Sequence, residues 1–255
     1  MIGLQLQPIY YFRLTINQPP HVFHFKKFSI DDSKAAMKIG TDSVLLGAWA
    51  PCGLETRILD IGAGSGILAL MMAQRSDKIL IDAVEIDPNA TEQARINVQL
   101  SPWSGQIQVF NSSIQEFLLK TQNKYSLIIS NPPFFTDSVK APDRARNIAR
   151  HNDTLPVNEL LEITSKLLEL TGKGAFIIPA DALEIWIFEA SKLLLFPLFI
   201  TRVKSSINHN PHRVLIVFTK NKKSEVIDNE LTIYISKDIY TNEYRQLTKD
   251  FYLNF

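Results

Sequence analysis

Between residues 57 and 219 the apolar positions fall alternately into short unbroken runs and into stretches of helical spacing. Residues 57–61, RILDI, predict a buried strand. A glycine-rich turn, GAGSG, follows, and ILALMMAQRS then places apolar side chains on one helical face. ILIDAVEID predicts a second strand that ends in acids, and PNATEQARINVQL a helix with Pro88 in its first turn. QIQVFN, SIQEFLLK and YSLIIS predict a third strand, a short helix and a fourth strand. LPVNELLEITSKLLEL has helical spacing, and Gly172 and Gly174 are expected to end that helix before the strand AFIIPA. A helix over 182–196 and strands near LFITRVK and RVLIVFTK complete the series. Strands alternating with helices at this spacing argue for βαβ units and a parallel sheet. The last two strands have little helix between them and predict an antiparallel pair at one edge. The first 50 residues and the tail from about 221 do not fit the alternation and are expected to pack over it. The reading is a single α/β domain over 1–255, with an N-terminal segment over 1–50, an alternating core over 51–220 and an extension over 221–255.

Composition changes this picture little. The 255 residues are 45% hydrophobic and 21% charged, ordinary for a globular protein. A chain of this length buries roughly three-quarters of its unfolded surface and needs no disulfide to fold. Cys52, the single cysteine, can form no internal one, which fits a reducing compartment. The first residues lack a basic segment leading into an apolar core, and no run approaches 18 apolar residues, so the expectation is a cytoplasmic protein without membrane contact. The net charge of +1 conceals a division along the chain. Residues 51–119 hold four Lys/Arg against eight Asp/Glu, whereas 120–150 hold six against two and 201–225 six against one.

The turn LDIGAGSG sets Gly62, Gly64 and Gly66 between a strand and a helix. Glycines there permit positive φ and close approach of a ligand to the backbone, and ligands of open α/β sheets sit beyond the carboxyl ends of the strands. The spacing G-x-G-x-G differs from the dinucleotide fingerprint. Glu85 ends the next strand, where a carboxylate can accept hydrogen bonds from both hydroxyls of a ribose. Asp60, just before the turn, suits either an ammonium group or a helix cap. Met71 and Met72 lie inside a helical apolar pattern and are assigned to the core. This arrangement resembles the class I S-adenosylmethionine-dependent methyltransferases. The resemblance implies a Rossmann-like fold: a seven-stranded, mostly parallel sheet with an antiparallel edge strand and helices on both faces. It also implies S-adenosylmethionine as cofactor, with Asp60 near its methionine moiety, Gly62, Gly64 and Gly66 against it, and Glu85 on its ribose. An acid after the third strand commonly meets the cofactor's adenine in that family. Ser113 stands at the corresponding position here, and its neutral hydroxyl pairs more weakly with an amino group.

The fourth strand ends in Ser130-Asn131-Pro132-Pro133-Phe134-Phe135. Two prolines remove two backbone donors and stiffen the chain where it leaves the sheet. Asn131 to Phe134 match the Asn/Asp-Pro-Pro-Phe/Tyr signature of methyltransferases that modify an exocyclic or amide nitrogen. The amino group of adenine is a poor nucleophile because its lone pair is delocalised into the ring. The Asn131 side-chain oxygen and the Pro132 carbonyl can accept its two protons in hydrogen bonds and let the lone pair turn out of the ring plane. Pro133 adds rigidity without a competing donor, and Phe134 is placed to stack on the base, a contact worth about 1–3 kcal/mol. Phe135 divides between a core role and a second contact with the base. The plainer alternative for the whole elbow is a conformational stop after a buried strand.

The elbow does not choose among adenine, guanine and a glutamine amide. The stretches 23–50, 144–153, 210–218 and 240–255 resemble the bacterial tRNA1(Val) adenine N6-methyltransferase family, over nearly the whole chain. That resemblance implies methylation of the adenine 3′ of the anticodon, with the tRNA anticodon stem-loop as partner. Lys38, Thr41 and Asp42 precede an apolar, helix-like run; Thr41 and Asp42 either cap it or help close the cofactor pocket. Arg144, Arg146, Arg150 and His151 follow the elbow and suit phosphate contacts, which position RNA without specifying sequence. Lys204, His212 and Arg213 form a second basic group, from which Arg213 is taken as an RNA contact. No zinc-type spacing of His or Cys occurs, so no metal is expected; a monomer is expected because one cofactor site and one basic face suffice. The alternatives are a guanine-N2 rRNA methyltransferase, a glutamine-N5 protein methyltransferase and a non-catalytic RNA-binding module. The last has no use for an intact glycine turn, Glu85 and Asn131.

Overall fold

The predicted strands and helices form close to their expected places in the computed structural model, which describes residues 22–35, 38–53, 56–76, 78–133, 155–222 and 225–255. A hairpin of β1 (Val22–His24) and β2 (Ser29–Asp31) leads into α1 (Thr41–Trp49). The alternating core follows as β3 (Arg57–Ile61), α2 (Ile67–Arg75), β4 (Leu80–Glu85), α3 (Pro88–Gln99), β5 (Ile107–Asn111), α4 (Ile114–Lys120) and β6 (Tyr125–Ser130). Beyond the elbow come α5 (Val157–Leu167), β7 (Leu168–Pro179), a 3-10 turn (Ala180–Ala182), α6 (Leu183–Lys192), β8 (Phe196–Ser206) and β9 (Arg213–Thr219). The described chain closes with β10 (Ile227–Ser236), β11 (Ile239–Tyr240) and α7 (Asn242–Thr248).

Nine strands form the main sheet among the described residues, in the order β11-β10-β8-β9-β7-β6-β3-β4-β5. β5, β4, β3, β6 and β7 run parallel, as the βαβ pattern requires. Two details depart from expectation. The antiparallel edge strand is the two-residue β11, paired with β10, whereas β9 lies inside the sheet, antiparallel to both β7 and β8. Its run Val214–Phe218 is buried throughout, which only an interior strand allows. The tail from about 221 does not simply pack over the core, because β10 pairs in parallel with β8 and widens the sheet beyond seven strands. Its apolar signal is faint, since only Leu231 and Ile233 are buried. Its acids instead meet β8, Asp228 receiving Arg202 Nη2 at 3.0 Å and Glu230 receiving Lys204 Nζ at 2.5 Å.

Gly172 and Gly174 also act differently from the prediction. Both lie within β7, not between helix and strand. A Cβ on Gly172 would come within 2.8 Å of the Tyr125 carbonyl oxygen, and one on Gly174 within 3.0 Å of Thr164 Cγ2 on α5. The glycines therefore permit close approach by β6 and α5, where the pairing register of β6 shifts between Tyr125 and Leu127.

Apolar side chains fill both faces of the sheet. Met71 and Met72 are fully buried, as the helical pattern predicts. α1 covers α2 so closely that a Cβ on Gly47 would fall 2.5 Å from Met71 Sδ. Further bonds fasten the C-terminal end of α1. Trp49 Nε1 donates to Thr201 Oγ1 of β8 at 3.1 Å, and Arg75 Nη1 donates to the carbonyls of Gly47 and Ala50 at 2.9 and 2.7 Å. The β1–β2 hairpin is tied to α3 through Asn97, which donates to the Asp31 carbonyl at 2.8 Å. It also meets the C-terminal extension, where Lys26 N donates to the Phe251 carbonyl at 2.8 Å and Phe25 forms an antiparallel bridge with Tyr252. No helix among the described residues is long and apolar enough to cross a membrane.

Candidate active site

The carboxyl ends of β3, β4, β5 and β6 open into one cavity of about 590 Å³. Its walls are the glycine turn, Glu85 to Asp87, Ser112 to Gln115 and the elbow Asn131-Pro132-Pro133, with Lys38 and Ser43 contributed by the N-terminal segment.

The turn after β3 is shaped by its glycines. Gly62, Gly64 and Gly66 have φ of 74°, 55° and 84°, the left-handed region that residues with a Cβ avoid. Gly62 N and Ala63 N both donate to the Val84 carbonyl, at 2.9 and 3.1 Å, which pins the turn to β4. A Cβ on Gly62 or Gly64 would meet no atom within 4 Å, so the turn presents bare backbone. Glu85 braces it: Oε2 accepts from Gly64 N and Oε1 from Asp87 N, each at 2.8 Å. Each oxygen retains a second lone pair that can accept from a hydroxyl. Ile86 lies beside it on the cavity wall, with 64% of its surface exposed. Sequence reasoning passed over Ile86, although an apolar residue directly after a strand-end acid is a usable signal. Bare glycine backbone, a carboxylate and an apolar ledge together fit a nucleoside.

Asp60 does not reach the cavity wall, contrary to its expected place beside the methionine moiety. It is fully buried beneath the turn, where its Oδ2 accepts from Ala69 N in the first turn of α2 at 3.1 Å. The helix-cap alternative describes it better. Its Oδ1 is buried without a hydrogen-bond partner. Burial pushes its pKa up to about 7; the Ala69 N–H opposes that rise and the nearby charge of Glu85 adds to it. Thr41 and Asp42 are likewise absent from the wall. Gly40 is the N-cap of α1, and Asp42 Oδ2 receives Arg213 Nε at 2.8 Å. That ion pair ties Arg213 to α1. Ser113 does line the cavity, but its hydroxyl caps α4 by accepting from Glu116 N at 3.2 Å. Lys38 lines it too and donates to the carbonyl of Asp32 at 2.6 Å.

The elbow is anchored beside the turn. Ser130 Oγ donates to the Ile61 carbonyl at 2.7 Å, so the end of β6 is fixed to the end of β3. Asn131 then lines the cavity with its amide Nδ2 donating to Ser43 Oγ at 3.0 Å, followed on the wall by Pro132 and Pro133. Phe134, Phe135, Arg144, Arg146, Arg150 and His151 lie outside the described residues. Also on the cavity wall, Gln115 Nε2 donates to Glu159 Oε1 at 3.0 Å, a pair that the sequence pattern did not single out.

Comparison with known proteins places this geometry. Residues 32–156 match the family model of the methyltransferase small domain. The chain is 45% identical over 233 residues to a tRNA1(Val) (adenine(37)-N6)-methyltransferase of Flavobacterium johnsoniae, covering 91% of this chain and 99% of that one. It is 48% identical over 244 residues to a protein of the same description from Christiangramia forsetii, covering 93% and 98%. The chain belongs to this methyltransferase family. As a tRNA1(Val) (adenine(37)-N6)-methyltransferase family member, it uses S-adenosylmethionine as methyl donor. A crystal structure described as a predicted O-methyltransferase from Agrobacterium tumefaciens superimposes with a TM-score of 0.64 at 17% identity, over 82% of this chain and 96% of that one. At that identity the likeness shows the Rossmann-like methyltransferase fold alone.

Proposed function

We propose that the protein methylates N6 of the adenine 3′ of the anticodon in tRNA1(Val). The observation that carries this reading is the placement of Asn131 and the two prolines on the wall of the cavity that the glycine turn and Glu85 also line. The relatives from F. johnsoniae and C. forsetii are described as tRNA1(Val) (adenine(37)-N6)-methyltransferases, which supports the choice of base and RNA.

In this reading Gly62 and Gly64 let the cofactor lie against bare backbone, Glu85 accepts from its ribose hydroxyls and Ile86 packs on its adenine. Ser113 and the Gln115–Glu159 pair close the adenine end. Gly66 starts α2, and Asp60 supports the turn from below. Thr41 and Asp42 act at one remove, through the placement of α1. S-adenosylmethionine, when bound, supplies an electrophilic methyl group carried on a sulfonium. The protein's contribution is positional and electrostatic. Asn131 Oδ1 and the Pro132 carbonyl accept the two hydrogens of the target amine, and both acceptors stabilise the positive charge that the nitrogen gains. Pro133 keeps the elbow stiff, and Phe134 stacks on the base with Phe135 beside it. Lys38, Arg144, Arg146 and Arg150 meet the RNA backbone. Extruding a base costs a few kcal/mol and is cheapest in an unpaired loop, which suits an anticodon loop. One cavity serves one stem-loop, so the protein works as a monomer, in the cytoplasm where tRNA is found.

The test is mass spectrometry of nucleosides from total tRNA incubated with the protein and isotopically labelled S-adenosylmethionine. Labelled N6-methyladenosine is expected. Labelled N2-methylguanosine, or label appearing only in protein, would overturn the reading.

A further inference from the structure

The glycine turn is pinned to β4 through Val84 and Glu85, and Asn97 holds it a second time, from α3. Asn97 Nδ2 donates to the Ser65 carbonyl at 2.9 Å and to the Asp31 carbonyl of β2 at 2.8 Å, while its Oδ1 accepts from Asp31 N at 3.1 Å. The residue is buried. Carbonyls only accept and a peptide N–H only donates, so these partners leave the amide one orientation, with both of its N–H groups used. Ala94, three residues earlier on α3, packs against the same turn: a Cβ on Gly66 would lie 3.4 Å from Ala94 Cβ. From Asp31 the connection runs on to another part of the cavity wall. The buried Asp32 accepts from Ile39 N through Oδ2 at 2.8 Å, and its carbonyl accepts from Lys38 Nζ at 2.6 Å. Ser65, Lys38 and Ile39 all line the cavity.

We infer that Asn97 is a positioning residue for cofactor binding, which locks the glycine turn and the wall residues Lys38 and Ile39 into one unit. Its amide is the joint: one N–H fixes Ser65 in the turn, and the other N–H and the oxygen fix Asp31, whose neighbour Asp32 carries the wall. Two pieces of wall that are far apart in the sequence are thereby set in a fixed relation before a ligand arrives. Binding then spends no free energy on ordering them against each other, and affinity rises for that reason. Without the joint, the turn keeps its hold on β4, but the N-terminal wall is no longer referred to it. This inference rests on the cofactor lying on the glycine turn, as proposed above, and adds a residue that acts on it through Ser65 and Asp31.

Five proteins test it: wild type, Asn97→Ala, Asp32→Ala, the double variant and Tyr125→Phe. Each is measured for S-adenosylmethionine Kd by calorimetry and for methyl transfer to tRNA. Tyr125→Phe removes a buried 2.7 Å hydrogen bond to Asp82 at the end of β6 away from the cavity, and so reports what lost stability alone does to binding. Asn97→Ala is expected to raise the Kd and KM for S-adenosylmethionine about 10-fold or more, with kcat at saturating cofactor within about threefold. Tyr125→Phe should leave the Kd within about twofold, a contrast that a merely structural role of Asn97 would not produce. Asp32→Ala, which releases Ile39 N without touching α3, should raise the Kd at least about threefold. The double variant should bind no more than about threefold weaker than Asn97→Ala, because the two side chains act in series. Should Asn97→Ala fail to fold, Asp32→Ala decides alone. An unchanged Kd in either single variant, fully additive losses in the double, or an equal loss in Tyr125→Phe would each overturn the inference while leaving the proposed function standing. A wild-type protein that binds no S-adenosylmethionine would overturn both.

Discussion

Asp42 and Arg213, 171 residues apart, join the start of α1 to the start of β9 through a 2.8 Å hydrogen bond from Nε to Oδ2. Both side chains are less than a third exposed, at 27% and 29%, so solvent screens the pair only in part. Replacing both by alanine in a double-mutant cycle should reveal a coupling of about 1 kcal/mol in urea unfolding. Arg213→Ala should leave the salt dependence of tRNA binding unchanged, because no phosphate contact is removed. A coupling near zero together with a shallower salt slope would return Arg213 to the RNA interface.

Asn131→Ala removes an acceptor without touching the glycine turn or Glu85. Loss of one preorganised polar group at a reacting centre costs roughly 100- to 1,000-fold in kcat. The expected result is that loss, measured as methyl transfer to tRNA, with cofactor affinity by calorimetry within about threefold of wild type. Near-normal turnover would remove Asn131 from the chemistry.

Gly64→Val tests the cradle. At φ of 55° any residue with a Cβ is disfavoured, and a branched one most of all, by about 1–2 kcal/mol. Its side chain would also stand in the cavity that Gly64 lines. Cofactor Kd should rise at least about 10-fold, with thermal stability lowered by only a few degrees. Unchanged Kd would mean that the cofactor does not lie on this turn.

Asp60 makes stability depend on pH. Burial raises its folded pKa from 3.8 to about 7. Between those values the folded state holds a proton that the unfolded state has released. Its stabilising contribution is therefore complete below pH 3.8 and is lost as pH rises through about 7. The shift corresponds to at most about 4 kcal/mol. Asp60→Asn cannot titrate, so the stability difference between wild type and variant should move in the variant's favour from pH 4 to pH 8, measured by urea unfolding across that range. A difference independent of pH would show that Asp60 ionises normally.

The alternating core was legible because its signals are local. RILDI, the glycines and Glu85 each declare themselves within a few residues, and the structure sets them at one mouth. What the pattern misplaced depends on contacts between distant segments. The hairpin of β8 and β9 gave two strands but not the insertion of β9 between β7 and β8, since nothing local says which edge a strand enters. Gly172 and Gly174 look like a helix stop from their own neighbourhood, and only Tyr125 and Thr164 reveal them as points of close approach. Asp60 and Asp42 were recognised as notable acids, but their partners, Ala69 N and Arg213, decide what they do.

The contact between the first hairpin and the C-terminal extension has a consequence for synthesis. Lys26 and Phe25 are among the earliest described residues to be translated, yet their partners Phe251 and Tyr252 are made more than two hundred residues later. Domains begin to fold while still emerging from the ribosome. The parallel strands can assemble in that interval, but the hairpin can complete its seating only after residues 251 and 252 have cleared the exit tunnel. Ribosome-bound nascent chains halted before β10 should accordingly carry a protease-sensitive leading segment on an already resistant centre.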